Sequence, residues 1–356
     1  MMCTKIYGTI GPACHDTDTL VRLFEKGMTG IRINLSHSDL SACSEWIKNI
    51  EFAYKKTGQC RADNANKTKP EILMDLCGPE LRLGRLRIER ELRAGDMLTL
   101  VAEGRNNLFD PTELPVPEPV LPHLASGQQI LVDDGMILLE AEELFRDRTG
   151  YAAECKVVRA GVLKSGKSIA LPGITIESPT LTESDLENIR LAKEYGITGV
   201  MLPFVRNQDD LRNLKQALID ADAGDIRIFA KIENMDGVKR LPELLPYCDE
   251  IVIARGDLGN AMPLWELPVV QEQIATACRE VGKPFMVVTQ MLASMERTAV
   301  PTRAEVSDIF RATQQGAASV MLTGETAAGE HPVEAMEYMV NTVRAAEGYL
   351  NRLTGK

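Results

Sequence analysis

Eight short apolar runs, most of them followed by a stretch of helical period, constrain this 356-residue chain more than any other feature. They read "KIYGTIG" (5–11), "TGIRINLS" (29–36), "EILMDL" (71–76), "GVMLPF" (199–204), "RIFAKIE" (227–233), "EIVIARG" (250–256), "PFMVVTQ" (284–290) and "ASVMLTGE" (318–325). Runs this short and this rich in Val and Ile belong in a parallel sheet whose outer face is covered by helices. Segments such as "NQDDLRNLKQALIDA" and "VVQEQIATACREVG" supply those helices, and Thr182 with Asp185, like Thr302 with Glu305, has the spacing of a capping box. Eight strand–helix units predict an α/β fold of the (β/α)8 TIM-barrel type. An open doubly wound sheet is the competing fold, and the missing glycine fingerprint makes it second choice.

One interval breaks the rhythm. Residues 82–170 alternate apolar and polar positions between Gly, Pro and Asp-Gly turns, as in "LRAGDMLTLVAEG" and "GQQILVDDGMILLEAEE". This predicts a small β-barrel lid domain inserted after strand 3, with residues 1–81 and 171–356 forming the catalytic barrel. An insert at that point leaves from the face where the strand C-termini end. The tight corner "VDDG" at 132–135 reads as a hairpin turn and is assigned no chemistry.

Composition removes several function classes. The net charge of −11 lacks the basic face that a nucleic-acid surface needs. No run of 18 apolar residues and no secretory apolar core is present, so neither a membrane span nor export is expected. Eight cysteines without a CxxC pair read as free thiols of a reducing, cytoplasmic compartment. Four histidines with no HExxH motif leave no zinc signature.

In a barrel, the C-terminal ends of different strands converge on one site. Here they deliver Arg32, Asn34 and Ser36 from strand 2, Asp75 from strand 3, and Lys231 and Glu233 from strand 5. Strands 6, 7 and 8 add Arg255 with Asp257, Thr289, and Thr323 with Glu325, whereas strand 4 ends in Pro203 and Phe204. The N-terminal ends show no such excess. Glu233 and Asp257 lie at matching points of neighbouring strands, roughly 4.8 Å apart by strand spacing, where a hard divalent ion such as Mg2+ would relieve their repulsion. Lys231 and Arg32 add cations suited to an oxyanion or a phosphate. Taken singly, a Lys–Glu pair is a surface ion pair, "ARGDLG" is a turn, and Asn34 or Ser36 caps a helix. Their joint arrangement is much harder to produce by chance.

The segments "KIYGTIGPAC", "IRINLSH", "MDLCGPELRLG", "KIEN", "ARGDLG", "TQMLASM", "PTRAEVSD" and "MLTGETAAGEHPVEA" resemble pyruvate kinase, in order and along nearly the whole chain. The resemblance implies phosphoryl transfer from phosphoenolpyruvate to ADP in glycolysis, giving pyruvate and ATP. It makes Lys231, Thr289 and Arg32 catalytic and gives substrate binding to Arg32, Lys231, Thr289 and the backbone of Gly256 and Asp257. Mg2+ falls to Glu233 and Asp257, K+ to Asn34, Ser36, Asp75 and the carbonyl of Leu76, and the nucleotide to Asn34, His37 and Arg82. Glu325 stands behind the site, and a homodimer through the barrel is implied.

The chain departs from the family pattern in four places. It stops soon after "YMVNTVRAAEGYLNRLTGK", where most members continue into a C-terminal regulatory domain, which is therefore expected to be absent. Ser184 replaces a lysine, Leu76–Cys77 replaces a Thr-Lys pair, and Pro203 and Thr323 replace serines. Glu80 matches K+-requiring members, while Leu76, Cys77 and Leu83 match K+-independent ones; charge outweighs the neutral neighbours, so K+ dependence is expected. Two alternatives remain: another phosphoenolpyruvate- or pyruvate-using TIM-barrel enzyme with a different acceptor or enolising chemistry, and a catalytically weak homologue used for binding.

Overall fold

The computed structural model describes residues 4–354 except 37, 58–68, 106–109, 111, 134, 148–149, 175 and 177. Two compact units emerge. One comprises Met1–Gly78, Thr180–Arg255 and Leu267–Lys356, the other Pro79–Pro179 with Gly256–Glu266.

The larger unit is a closed parallel barrel. Its strands are β1 (Lys5–Thr9), β2 (Gly30–Asn34), β3 (Glu71–Asp75) and, after the insert, β12 (Gly199–Leu202), β13 (Arg227–Ile232), β14 (Glu250–Ala254), β15 (Phe285–Val288) and β16 (Ser319–Leu322). They run round the barrel in the order β1-β16-β15-β14-β13-β12-β3-β2. Each of the eight apolar runs thus supplies a strand, and each strand stops one to three residues before its run does. Glu233, Thr289, Thr323 and Glu325 are among the residues so left beyond the ladder, while Arg32, Asn34, Asp75 and Lys231 are still within their strands.

The barrel interior is filled by Tyr7, Leu73, Met201, Phe229, Val252, Met286 and Met321, all at most 1% exposed. Glycine makes room for the two rings. A Cβ on Gly30 would sit 2.4 Å from the Tyr7 ring, and one on Gly199 would sit 2.5 Å from the Phe229 ring. Helices α1 (Thr17–Lys26) and α2 (Ser44–Lys56) belong to the first two strand–helix units, and α3 (Glu183–Leu191) follows the insert. Both expected capping boxes form, Thr182 with Asp185 at α3 and Thr302 with Glu305 at Arg303–Gln314. Asn234, the last residue of "KIEN", caps the next helix, its Oδ1 accepting the Gly237 N–H at 2.8 Å.

The N-terminal strand ends correct the sequence reading, because they too carry a polar cluster. Glu71 receives Lys5 Nζ at 2.8 Å and Arg227 at 2.9 Å, together with the Tyr7 hydroxyl. Next to it the Ser319 hydroxyl donates to Glu250. Burial raises the Glu250 carboxyl above its ordinary range, against the opposing pull of the Ser319 bond and the Arg227 and Lys5 charges. All six residues lie at or near the N-terminal ends of the eight runs, where a polar letter reads as a strand boundary.

The smaller unit holds β4 (Arg90–Leu92), β5 (Met97–Ala102), β6 (Glu113–Val116), β7 (Gln129–Val132), β8 (Ile137–Asp147), β9 (Gly150–Arg159), β10 (Gly161–Leu163) and β11 (Ile169–Ala170). Six form a sheet in the order β11-β7-β8-β9-β5-β6, and β10 pairs with β4. Leu98, Leu100, Leu114, Ile130, Leu139, Val157 and Leu163 form its own core. Leu81, Ile174 and Ile176 pack against that core, which is why the unit extends beyond 82–170 at both ends. Among the described residues, no helix is long and apolar enough to cross a membrane.

Candidate active site

Within the barrel unit, β2, β3 and β13 bring four charges to one place. The Asp75 carboxylate, 2% exposed, takes Arg32 on Oδ2 at 2.6 Å and Lys231 on Oδ1 at 3.3 Å. Lys231 turns its ammonium also to Glu233 Oε1 at 2.9 Å, and Glu233 is 1% exposed. Arg32 reaches on to the Thr9 hydroxyl at 3.2 Å. Two buried carboxylates are thus interleaved with two cations. Each buried carboxylate thus has a cation beside it, the pairing that a buried charge requires.

The balance leaves unused capacity. Among the described residues Asp75 Oδ1 and Glu233 Oε1, both buried, make no hydrogen bond, and each stands in ion-pair range of the Lys231 ammonium. A buried carboxylate oxygen left in that state costs free energy that a cation or donor in the site would return. No three acidic, His or Cys side chains converge on a point among the described residues.

The fourth strand contributes through its main chain. Phe204, just after β12, has φ +53, and its N–H donates to Glu233 Oε2 at 2.7 Å. An apolar sequence letter concealed this donor, since a backbone amide carries no side-chain signature.

The remaining candidates divide. Asn34 Oδ1 accepts the Ser36 N–H at 3.3 Å, and the Leu76 N–H donates to the Met201 carbonyl at 3.2 Å. Arg82, in the smaller unit, is anchored at home: it pairs with Glu80 at 2.6 Å and donates to the Gly166 carbonyl at 2.8 Å. Gly256 and Asp257 lie in the first turn of helix α7 (Arg255–Asn260). The register pairs Ile232 with Ile253, so the residue level with Glu233 is Ala254, and Asp257 follows three positions later. The two carboxylates are not at matching strand points, because the chain turns helical at Arg255 and carries Asp257 out of the ladder. His37 lies outside the described residues.

Three features escaped sequence reasoning. Asp133 of "VDDG" pairs with Lys167 at 2.7 Å inside the smaller unit. Asp185, fully buried, accepts the Cys77 N–H at 3.0 Å and the Gly78 N–H at 3.2 Å, tying down the chain just after Asp75. The third is backbone: Thr289 and Gln290 follow β15 with φ +74 and +54. A β-branched residue in the left-handed region is a genuine outlier, costing about 1–3 kcal/mol, and such outliers cluster at functional sites.

Comparison with known proteins places the whole barrel in one family. The sequence model of the family "Pyruvate kinase, barrel domain" matches residues 1–336. A pyruvate kinase of Bacillus licheniformis is 37% identical over 353 residues, covering 99% of this chain and 58% of the relative. One from Geobacillus stearothermophilus is 39% identical over 338 residues, covering 94% of this chain and 55% of the relative. One from Thermococcus litoralis is 36% identical over 352 residues, covering 98% and 71%. The chain thus spans little more than half the length of the two bacterial relatives.

Proposed function

The chain belongs to the pyruvate kinase family, and we propose that it moves the phosphoryl group of phosphoenolpyruvate to ADP, giving pyruvate and ATP in the cytoplasm. The observation that carries the proposal is the buried Arg32–Asp75–Lys231–Glu233 cluster, with two cations aimed at one point and two carboxylate oxygens free of hydrogen bonds among the described residues. In the reaction the bond between phosphorus and the enol oxygen breaks while a terminal ADP oxygen forms the new one. The enolate left behind takes a proton on its methylene carbon.

Lys231 opposes the charge that grows on the enolate oxygen, and Arg32 binds the phosphoryl oxygens; both are held in place beforehand by Asp75. The main-chain N–H groups of Gly256 and Asp257 take the substrate carboxylate. Thr289 stands on the face where the proton arrives, and Asn34, Arg82 and His37 serve the nucleotide. Glu233 Oε1 is the kind of hard oxygen Mg2+ accepts; with Asp257 it would hold that ion, which supplies a Lewis acid for the phosphoryl oxygens. Asn34, Ser36, Asp75 and the Leu76 carbonyl offer oxygens to K+. Glu80, read as favouring that ion, already has a cation, Arg82, at 2.6 Å. Assembly as a homodimer through the barrel would cover exposed apolar side chains such as Val269, 57% exposed.

A lactate-dehydrogenase-coupled assay with phosphoenolpyruvate and a panel of nucleoside diphosphates tests the reading. Mg2+-dependent pyruvate formation with ADP supports it. Pyruvate formation only with another acceptor would transfer the chain to the alternative that Ser184 suggests.

A further inference from the structure

Arg255 was singled out by sequence as a polar strand-end residue, and the reaction as drawn above gives it no part. Its guanidinium is only 11% exposed. It donates to the Thr289 carbonyl through Nη2 at 2.8 Å and through Nε at 3.3 Å, and to the Val288 carbonyl through Nε at 3.3 Å. Nη2 also lies 2.9 Å from the Met291 sulfur. On its other side Asp308, from helix α9 (Arg303–Gln314), holds Nη1 at 2.5 Å. Every one of these contacts falls on the segment that leaves β15, or on the group that steers Arg255.

The far end of that segment meets the opposite charge. Glu325, 1% exposed, accepts the Leu292 N–H at 2.9 Å through Oε1 and the Thr323 N–H at 2.7 Å through Oε2. A cation therefore takes the carbonyls of residues 288 and 289, and an anion takes the amide of residue 292. Between them lie the two left-handed residues, Thr289 and Gln290.

The polarity has a physical reason. Turning the chain left-handed at residue 289 swings its carbonyl out of the parallel ladder, where a buried acceptor needs a donor. A planar guanidinium can take two neighbouring carbonyls at once, which an ammonium cannot. A strained turn persists only when its surroundings over-determine it.

We propose that Arg255 is a positioning residue: together with Glu325 it clamps the Thr289–Gln290 turn in its left-handed form and so sets the place of the Thr289 side chain, with Asp308 orienting the guanidinium. The clamp is a property of the fold. Its kinetic consequence rests on the phosphoryl-transfer reading, in which Thr289 serves proton delivery to the enolate. Loosening the clamp then slows protonation more than it weakens substrate binding.

The test uses the whole chain, with Arg255→Lys and Arg255→Met beside the wild type, and Asp308→Asn as a milder variant that keeps side-chain shape. For Arg255→Met, kcat should fall roughly a hundredfold, the penalty of a misplaced group, while the KM for phosphoenolpyruvate changes less than about threefold. The solvent deuterium isotope effect on kcat should grow as proton delivery becomes limiting. Arg255→Lys should recover only part of the loss, and Asp308→Asn should fall between wild type and Arg255→Lys. In a crystal structure of Arg255→Met, Thr289 should have left positive φ. Should that variant not fold, the same two readouts on Asp308→Asn decide: a lowered kcat with a larger isotope effect and a disordered or relaxed turn supports the clamp. Wild-type kcat and isotope effect, or Thr289 still near φ +74 without the guanidinium, overturns it. If the wild type forms no pyruvate from phosphoenolpyruvate, the functional reading fails, while the crystallographic comparison still decides the clamp.

Discussion

At the N-terminal mouth of the barrel, Glu71 is met by Lys5, Tyr7 and Arg227; at the C-terminal mouth, Asp75 and Glu233 share Lys231 and Arg32. Both mouths mix buried carboxylates with basic side chains, yet they use them differently. Glu71 accepts bonds on both oxygens, and the neighbouring Glu250 has its Ser319 bond. The C-terminal cluster leaves Asp75 Oδ1 and Glu233 Oε1 without a hydrogen bond among the described residues. Among the described non-glycine residues of the barrel unit, Phe204, Thr289 and Gln290 have positive φ just after the C-terminal ends of β12 and β15, and Asp222, of a residue type that tolerates it, has positive φ in the turn before β13. A polar network that satisfies itself stabilises a fold, whereas one that stays incomplete is prepared for something that arrives.

The largest expected difference comes from removing one cation at each mouth. Lys231→Met should lower kcat by two decades or more, the loss of one preorganised electrostatic group being worth on the order of 3 kcal/mol. Its thermal midpoint should fall as well, because Asp75 and Glu233 stay buried without the cation they share, so kcat is read per folded molecule. Near-normal turnover would make Lys231 a structural ion pair and erase the contrast. Arg227→Met should cost stability alone. Urea unfolding should show a loss of about 2 kcal/mol, typical of a hydrogen bond to a charged group, with kcat per folded molecule unchanged. A falling kcat there would show that the N-terminal mouth also governs the reaction.

A smaller effect concerns the monovalent cation. Activity should rise in K+ over tetramethylammonium at matched ionic strength, and Glu80→Lys should weaken the response. The Arg82 contact at 2.6 Å places a cation on Glu80 already, so the rise should be a graded activation and not an absolute requirement. Equal activity in both salts would mean that Asn34, Ser36 and Asp75 form no K+ cage.

The smallest effect is titration at the N-terminal mouth. Burial raises the Glu250 carboxyl above its ordinary value of 4.5, so the folded chain holds that proton more tightly than the unfolded one. The contribution to stability is complete below the unfolded pKa and is lost as pH rises through the raised folded pKa. Glu250→Gln should remove this slope and make stability flatter as pH rises above the ordinary carboxylate range. A wild type and variant with parallel stability profiles would show that Glu250 stays ionised in the folded state. The acidic side chain at α9 has the opposite sign. Burial opposes ionisation of Glu305, but hydrogen bonds from Ser294 and Thr302 outweigh it and lower its pKa. Its contribution is present above the unfolded value and fades as pH falls through the folded one.

Local order determined what could be read from sequence. The barrel was legible because each strand is a short run and each helix has its own period and cap, so Thr302 and Glu305 find each other across a single turn. The C-terminal site was legible because a parallel barrel sends every strand end to the same mouth, which made Arg32, Asp75, Lys231 and Glu233 neighbours by topology alone. Tertiary structure decided the rest. Whether the Asp75 carboxylate is satisfied, whether the Phe204 amide points at Glu233, and whether Arg255 reaches the Thr289 carbonyl depend on backbone angles and on register between strands distant in the chain. A residue letter encodes neither the direction of its own amide nor the φ its neighbours impose. Those are set only when the barrel closes and each buried polar group must find a partner.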